Sequence, residues 1–531
     1  MFHFRHQHGE LTGTAKENPR SIFGLPVVHL TMSWIPYGIF LLLTGFILYR
    51  HRFFHLPGLP RKATLFFFAL KLVAGLAIWY VYTVYYPQRE YADIWKYFDD
   101  SEVMYSALDE HPGDYFRMMS GIGIDEHIQH AYFDKMQHWD QQFENNLFND
   151  SHTIIRFNAL LRLVSGGNYH THSLFMCVLA FIGLCALYHW VYKFLWQWKY
   201  IVAFILFVSP SLLFWSSGVL KEAILFFSAG LIIYHAWKFA DDRKKYRLLW
   251  IAIAVLLLAM TKLYMLVFLV PPLLLGLHLV KNPRFAFVKC CALFVLLIGA
   301  GYGIHKAKPQ LSPFRIIAAK QNDFLNLARG GTYVMNDRYV VFIAPKWKHK
   351  LIPATDSSHF HIADKTTVTY WVIADNFRDT LTMQINGDTS TYTLLSDSPV
   401  AGSLMNVKQL QPTAQSVLSE SPAALWRSIV RPYPWELKPV MVIPPMLENL
   451  FLFLLLLLLF IAPKKPSSKA LFWFCVAYAI LALSITGLTT PVLGALVRYR
   501  ITAIPFLMFA LLCSVDKERL LNKLPALRRI L

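Results

Sequence analysis

Eleven long apolar segments are the feature that most constrains what this chain can fold into. A bilayer core about 30 Å thick is crossed by roughly 20 apolar residues of α-helix. The segments that reach or approach this length are 27–49, 63–86, 173–192, 200–216, 219–237, 248–261, 263–280, 288–304, 441–462, 470–489 and 499–514. Only 16% of the 531 residues are charged, against roughly 25% in soluble proteins. This excludes an ordinary soluble enzyme, a disordered chain and a nucleic-acid reader, and we predict an all-α polytopic membrane protein with 11 transmembrane helices.

The sixth and seventh segments form one apolar run from Leu248 to Val280, interrupted only by Thr261 and Lys262. The run is too long for one helix, and a lysine at the centre of a bilayer is costly. We therefore predict two short helices with Lys262 at the turn between them.

The charges of the connecting segments predict the orientation, because Lys and Arg collect in cytoplasmic loops. Segment 50–62 contains Arg50, Arg52, Arg61 and Lys62 and no acid, so we place it in the cytoplasm. Alternation from there places five more net-basic connections on the same side: 193–199, 238–247, 281–287, 463–469 and 515–531. Anionic headgroups then account for the net charge of +19, so we infer no nucleic-acid partner.

The same alternation places two long segments, 87–152 and 305–440, outside the cytoplasm. The first of these contains fourteen Asp and Glu against four Lys and Arg. The predicted organisation is an N-terminal tail 1–26, two transmembrane helices 27–86, an acidic loop with interfacial helices 87–172, helices three to eight 173–304, an outer domain 305–440, helices nine to eleven 441–514 and a basic tail 515–531.

Three short runs in the outer domain have β-type composition: Thr367–Ile373, Thr380–Ile385 and Ser390–Leu395. Asp375-Asn376 and Asn386-Gly387 are typical turn pairs between them. They predict a small antiparallel sheet, and hence an extracytoplasmic β-containing domain. The six cysteines all lie in apolar stretches, without the spacing of a disulfide framework or a zinc site.

The strongest cluster of functional side chains follows the second segment directly. If this stretch is helical, Asp93, Tyr97, Asp100 and Met104 share one face, at i, i+4, i+7 and i+11. A carboxylate at a membrane boundary can act as general base on a sugar hydroxyl or help to hold a divalent cation. Asp93, Asp100 and Asp99 are therefore the candidate catalytic residues, with Tyr97 beside them; we assign no metal ligands. The alternative is a solvated acidic loop without chemistry.

A second candidate site lies at 209–222, where Pro210 and Gly218 break an apolar run. Irregular backbone at membrane depth occurs only where protein or a cavity surrounds it. Lys221 and Glu222 open the next helix and, being adjacent, do not face each other. We predict that they bind substrate; snorkelling of their charges to the interface is the alternative.

Arginines supply the third set of candidates. Arg498 and Arg500 lie beside a short final helix and could clamp a pyrophosphate through parallel hydrogen bonds. They could equally be interfacial anchors. Arg431 precedes the ninth segment, and Arg156 lies in an amphipathic stretch, 153–164, that suits an interfacial helix. We include both among the candidate substrate-binding residues.

These motifs resemble known membrane proteins over about residues 87–510. Asp93-x-x-x-Tyr97 after an early span is similar to the first outer loop of the GT-C superfamily of polyprenyl-sugar-dependent glycosyltransferases, which contains that family's catalytic carboxylate. The stretches 210–222 (Pro-Ser-x-x-Phe-Trp-Ser-Ser-Gly-x-x-Lys-Glu), 431–436 (Arg-Pro-Tyr-Pro-Trp-Glu) and 498–500 (Arg-Tyr-Arg) resemble polytopic proteins of Bacteroidota surface-polysaccharide loci. Those proteins are loosely similar to polysaccharide polymerases. The chain departs from the family pattern at Ile94, where many members have the second acid of a pair, and by an inserted domain before the ninth span.

The resemblance implies a multi-pass protein of a bacterial inner membrane with its large loops in the periplasm. Our leading hypothesis is a glycosyltransferase or polysaccharide polymerase with a polyprenyl-linked sugar donor and a glycan acceptor. A flippase for the same lipid-linked material is the first alternative, and it predicts repeated halves and charges deep in several spans. We find no halves and few such charges, of which Lys71, near a helix end, is the clearest. A non-enzymatic scaffold that binds envelope proteins is the second.

Overall fold

The computed structural model describes residues 34–86, 89, 92–139, 151–336, 338–354, 359–372, 380–398, 400–436 and 440–529. The predicted tail 1–26, the beginning of the first predicted span and the turn at 375–376 lie outside these residues. Within them the chain is mainly helical, and it divides into two compact units. The first unit takes the described residues up to 139 and 151–267, and the second unit takes those from 268 onward.

The helices of the described residues are numbered in chain order. They are α1 Trp34–Arg50, α2 Lys62–Tyr80, α3 Asp93–Glu110, α4 Pro112–Ser120, α5 Glu126–Ala131, α6 Ser151–Ser165, α7 Tyr169–Leu195, α8 Lys199–Phe207, α9 Pro210–Trp215, α10 Lys221–Asp242, α11 Tyr246–Lys281, α12 Ala286–Ala307, α13 Pro313–Ala328, α14 Ala414–Val430, α15 Ile443–Ile461, α16 Lys469–Thr489, α17 Leu493–Arg500, α18 Ile504–Cys513 and α19 Lys517–Lys523.

Seven helical segments of the described chain are long and apolar enough to cross a membrane, or eight if the bent pair α17 and α18 is one span. Helix α2 is one of them, since a π-helical turn extends it to Tyr85. Helix α1 is apolar but shorter, with 17 residues. These helices define a mainly α-helical polytopic membrane protein. They do not confirm the predicted count of eleven.

Part of the difference in the count arises where a predicted span consists of short helices. Helix α8 follows α7 after a turn at 196–198 and runs back along it, since the Phe207 ring lies 5.5 Å from the Phe181 ring and 6.0 Å from the Tyr188 ring. Helix α8 ends at Phe207, and α9 adds only six residues. The predicted span 200–216 is therefore a broken helical segment.

The predicted interruption at Lys262 is present as a kink. Residues Tyr246–Lys281 form one helical element of 36 residues, in which Lys262 alone has non-helical backbone angles (φ −149°, ψ 82°). The kink frees backbone carbonyls, and that of Met260 accepts a hydrogen bond of 2.6 Å from Thr153 Oγ1. A hydroxyl from α6 thus satisfies a polar group that the break exposes.

Helices α7 and α10 form the centre of the first unit. A Cβ atom at Gly183 would collide with the backbone of Phe226, and one at Gly230 would collide with the backbone of Gly183. The two backbones are therefore in direct contact, which only small residues permit.

The second unit contains a sheet formed by seven described strands. They are β1 Gly331–Met335, β2 Tyr339–Ile343, β3 Leu351–Pro353, β4 His359–Ile362, β5 Thr366–Val372, β6 Thr380–Ile385 and β7 Tyr392–Ser398. All paired strands are antiparallel, in the order β3-β4-β7-β1-β2-β5-β6. The three predicted strands correspond to β5, β6 and β7. Strands β1 and β2 were not predicted because apolar residues lie on both of their faces, so their sequences do not alternate.

Two helices of the predicted outer domain pack on a membrane-spanning helix. Phe314 and Ala318 of α13 and Ala424 of α14 share an apolar core with Leu488 of α16. A Cβ atom at Gly487 of α16 would collide with the backbone of Ala424. Segment 305–440 is therefore a β-sheet together with helices that belong to the spanning helices of this unit.

Candidate functional site

Helix α3 forms as the spacing predicts, and it follows the end of the spanning helix α2. Tyr97, Asp100 and Met104 are buried on one face. Asp93 is the first residue of the helix, and its side chain is 32% exposed. The predicted face therefore lies at the end of a span and turns towards the protein, with Asp93 at its accessible end.

Asp100 holds a loop in place. Its Oδ1 accepts a hydrogen bond from the backbone N–H of Gln137 and its Oδ2 accepts one from that of His138, both at 2.7 Å. Desolvation by burial raises the pKa of Asp100, and the two N–H donors oppose part of that rise. Because both oxygens are engaged, Asp100 is suited to fixing the backbone at 137–138.

Asp99 points to the other side of α3 and pairs with an arginine. Arg89 donates from Nη2 to Oδ1 at 2.5 Å and from Nε to Oδ2 at 2.8 Å. The same guanidinium lies 3.8 Å from the centre of the Trp95 ring. Both oxygens of Asp99 are thus occupied by one bidentate partner.

His138 lies next to this cluster and is not among the site residues predicted from the sequence. Its Nε2 lies 3.7 Å from Oδ1 of Asp93, and its ring lies 5.4 Å from the Tyr97 ring. The chain contains twenty histidines, and no local pattern separates His138 from the others. Only the fold brings it to Asp93.

Lys221 reaches the same cluster from a distant part of the chain. It is the first residue of α10, and its Nζ lies 5.1 Å from the centre of the Tyr97 ring. Nζ also donates to Oγ of Ser151, the first residue of α6, at 3.2 Å. Three segments of the first unit therefore converge here, and they bring together the predicted residues Asp93, Tyr97 and Lys221.

Glu222 points elsewhere, as adjacent helical residues do. Its Oε1 lies 3.7 Å from Nζ of Lys262, and both side chains are buried. The kink in α11 thus places the lysine of one spanning helix against the acid at the beginning of another. An ion pair of this kind is rarely found in a span without a function.

The segment between α9 and α10 is irregular, as Pro210 and Gly218 predict. The carbonyl of Ser217, which the break leaves without a helical partner, accepts from Ser173 Oγ at 3.1 Å and Cys177 Sγ at 3.2 Å. Neighbouring spans thus surround and satisfy the irregular backbone.

Lys71 lies within the span and not near its end, which corrects the expectation from the sequence. It is the tenth residue of the 24-residue segment Lys62–Tyr85. Its Nζ donates to Ser216 Oγ at 2.6 Å and to Ser217 Oγ at 3.2 Å. No described carboxylate forms an ion pair with it. Lys71 is therefore a buried cation whose partners are hydroxyl groups.

Arg156 of α6 contacts α4 and Trp139, and so connects neighbouring segments of the first unit. It donates to the carbonyl oxygen of Met118, at the end of α4, at 2.9 Å, and its guanidinium lies 5.1 Å from the Trp139 ring centre. Burial lowers the pKa of Arg156. This geometry gives Arg156 a structural role.

Arg500, a predicted phosphate ligand, is 1% exposed. It donates to the carbonyl oxygens of Arg431, Ser428 (3.4 Å) and Pro445 (3.3 Å), and it lies 3.9 Å from Glu448. The guanidinium of Arg500 is therefore held by backbone carbonyls. This favours a role in stabilising the fold over a role in binding a ligand.

The other two predicted arginines of the second unit are more accessible. Arg431 lies 3.5 Å from Glu436 and 5.5 Å from the centre of the Tyr433 ring. Arg498 is partly exposed and lies 5.9 Å from the Tyr499 ring centre. Of the two, Arg498 lies at the end of α17, where a guanidinium can meet a ligand.

Among the described residues, no group of three or more His, Cys, Asp or Glu side chains is arranged to hold a metal ion. No protein-family model, curated protein or solved structure matches the chain.

Proposed function

We propose that this chain is a membrane-embedded glycosyltransferase or polysaccharide polymerase that uses a polyprenyl-phosphate-linked sugar on the extracytoplasmic side of a bacterial inner membrane. The observation that carries the proposal is the cluster of Asp93, Tyr97 and Lys221. A partly exposed carboxylate, a phenol and a buried lysine converge from distant segments at the end of a span. The GT-C resemblance of the sequence motifs supports the same reaction.

In the proposed reaction Asp93 takes the proton of the acceptor hydroxyl. The acceptor oxygen then forms a bond to the anomeric carbon of the donor sugar, and the bond from that carbon to the phosphate oxygen breaks. The electron pair leaves with the polyprenyl phosphate. Lys221, at the N-terminus of a long helix, is placed to stabilise the charge on this leaving group. The donor is already activated, so the reaction needs no ATP.

The contacts within the site narrow the set of candidate residues. Both oxygens of Asp100 bind backbone N–H groups, and both oxygens of Asp99 bind Arg89. Asp93 is more exposed than Asp99, and it forms the first turn of its helix. We therefore propose Asp93, the acid beside His138 and Tyr97, as the base. Within the second unit, Arg498 is a better candidate for binding phosphate than Arg500, because Arg498 is the more exposed of the two.

The test is a pair of substitutions in the bacterium that produces the protein. Asp93→Asn removes the base, and Lys221→Met removes the cation while retaining a similar side-chain length. We expect both to abolish the surface glycan while the amount of protein in the membrane fraction stays unchanged. Asp109→Asn is the matched control, since Asp109 is an exposed acid on the same helix. Normal glycan in both variants would contradict the proposal.

A transporter for lipid-linked glycan is the second candidate function, and the charges inside the spans favour it. Lys71 lies ten residues into a spanning segment, and Glu222 pairs with Lys262 at a kink. Intramembrane ionisable groups mark transport pathways in many membrane proteins. The side of the membrane on which lipid-linked sugar accumulates separates the two functions. Loss of a transferase leaves it in the outer leaflet, and loss of a transporter leaves it in the cytoplasmic leaflet.

A further inference from the structure

We propose that His138 and Asp93 form a proton relay, in which Asp93 passes the proton of the acceptor hydroxyl to Nε2 of His138. This inference rests on the proposed transferase function and adds a residue and a step to it. His138 acts through Asp93, so it is a positioning and relay residue.

The first argument is the placement of the imidazole. Its Nε2 lies 3.7 Å from Oδ1 of Asp93, and its side chain is 18% exposed. Hydrogen bonds between catalytic groups are often long before substrate binds and shorten in the substrate complex. Partial exposure lets His138 release the proton to water, while Asp93 keeps an exposed face for the acceptor.

The second argument is how firmly this histidine is held. Asp100, a buried acid on α3, fixes the backbone N–H of His138 at 2.7 Å and that of Gln137 at the same distance. The Tyr97 ring packs against the imidazole from the same helix. One helix therefore supplies the proton donor, the loop anchor and the packing surface. A catalytic group needs such support to stay within a few tenths of an ångström of its working position.

The electrostatic surroundings suit a relay. Asp93 and Asp100 approach His138 from α3, and the Tyr97 ring lies 5.4 Å from the imidazole ring and 5.1 Å from Nζ of Lys221 on α10.

The proton that the acceptor hydroxyl loses can be followed through every step to water. The acceptor hydroxyl loses its proton to Asp93 as the new glycosidic bond forms. Asp93 then transfers that proton to Nε2 of a neutral His138 and becomes a carboxylate again. The imidazolium releases the proton to water and is neutral before the next transfer.

The pH dependence of the reaction tests the relay, because imidazole is the side chain that changes charge between pH 5 and 8. Incorporation of radiolabelled sugar into surface glycan is measured in cells held at a series of pH values across that range. We expect the wild-type rate to fall on the acidic side, because an imidazolium cannot accept the proton from Asp93. In His138→Gln the rate is lower by about a hundredfold, and its acidic fall is absent.

Two further variants supply a control and a rescue experiment for this test. His130→Gln is the control, since His130 lies nearby in the chain, in helix α5, and has its own carboxylate partner, Asp134, at 2.8 Å. We expect this variant to retain the wild-type rate and pH profile. In His138→Ala, added imidazole restores part of the rate, which a purely structural histidine would not allow.

The outcomes separate the relay from the function on which it rests. If Asp93→Asn abolishes the glycan while His138→Gln keeps the wild-type rate and acidic fall, the relay is wrong and the transferase proposal stands. If Asp93→Asn leaves the glycan unchanged, the transferase proposal itself is wrong.

Discussion

The carboxylate of Asp100 accepts a hydrogen bond of 2.7 Å from the backbone N–H of His138, 38 residues further along the chain. An acid that the sequence marks as a candidate base is thereby an anchor for a loop. The histidine on that loop lies beside Asp93, whose side chain is 32% exposed. The stability of the anchor and the chemistry of the cluster are thus linked through a single carboxylate.

The first prediction concerns the pH dependence that Asp100 gives to stability. Burial raises its pKa above the ordinary value of 3.8, so the folded chain binds this proton more tightly than the unfolded chain does. Its contribution to stability is therefore fully present below pH 3.8 and is lost as the pH rises through the raised pKa. The unfolding temperature of detergent-solubilised wild type, relative to that of Asp100→Asn, should therefore be highest at the acidic end, where both side chains are neutral, and should fall as the pH rises. A constant difference across this window would contradict the prediction.

The second prediction separates the two candidate functions at Lys71. Ser216 and Ser217 also donate to the carbonyl oxygens of Leu212 and Leu213, so they keep a partner when the lysine is removed. Lys71→Met then replaces a buried cation by an apolar chain of similar size and removes the cost of burying a charge, so we expect the variant to fold and to accumulate in the membrane. A transferase should keep its rate of glycan synthesis in this variant, and a transporter that uses Lys71 should lose it. The glycan of Lys71→Met cells, normalised to protein in the membrane, decides between them.

The third prediction concerns the buried pair Glu222 and Lys262. Removing one partner leaves a buried charge, which costs about 3–5 kcal/mol, whereas replacing both partners costs much less. We expect Glu222→Gln to lower the unfolding temperature strongly, and Glu222→Gln combined with Lys262→Met to restore most of the loss. If the double variant is no more stable than the single one, the pair does not contribute as an ion pair.

The fourth prediction distinguishes the roles of Arg498 and Arg500, the two arginines on either side of Tyr499. Arg500 is buried among backbone carbonyls, so Arg500→Met leaves several acceptors unpaired, each at a cost of about 1–3 kcal/mol. We expect little of this variant in the membrane. Arg498→Met should accumulate normally and lose glycan, since Arg498 is the more accessible residue. Immunoblots of membrane fractions, read beside the glycan, test both expectations.

Local patterns predicted several features of this fold well. The spacing of Asp93, Tyr97 and Asp100 placed them on one face if the stretch was helical, and α3 is helical there; that geometry depends only on 3.6 residues per turn. Lys262 marked a break in an apolar run because a charged residue there has few stable positions. The alternating strands β5 to β7 were likewise visible in the sequence.

The features that were missed depend on contacts between distant residues. His138 has no local signature, and its place is set by the two hydrogen bonds between Asp100 and the 137–138 backbone. The burial of Arg500 follows from carbonyls of residues 428–431 and 445, which only the packed helices bring together. The number of spans was also beyond the hydropathy pattern, since the predicted span 200–216 consists of two short helices, α8 and α9.

The direct backbone contact between Gly183 and Gly230 also limits how the first unit can change shape. At this crossing no side chain separates the two backbones, so we expect α7 and α10 to move together as one block. The joints on either side are the irregular segment before Lys221 and the kink at Lys262. We therefore expect a long hydrocarbon tail that enters from the lipid to separate helices at these two breaks and to leave α7 and α10 in contact.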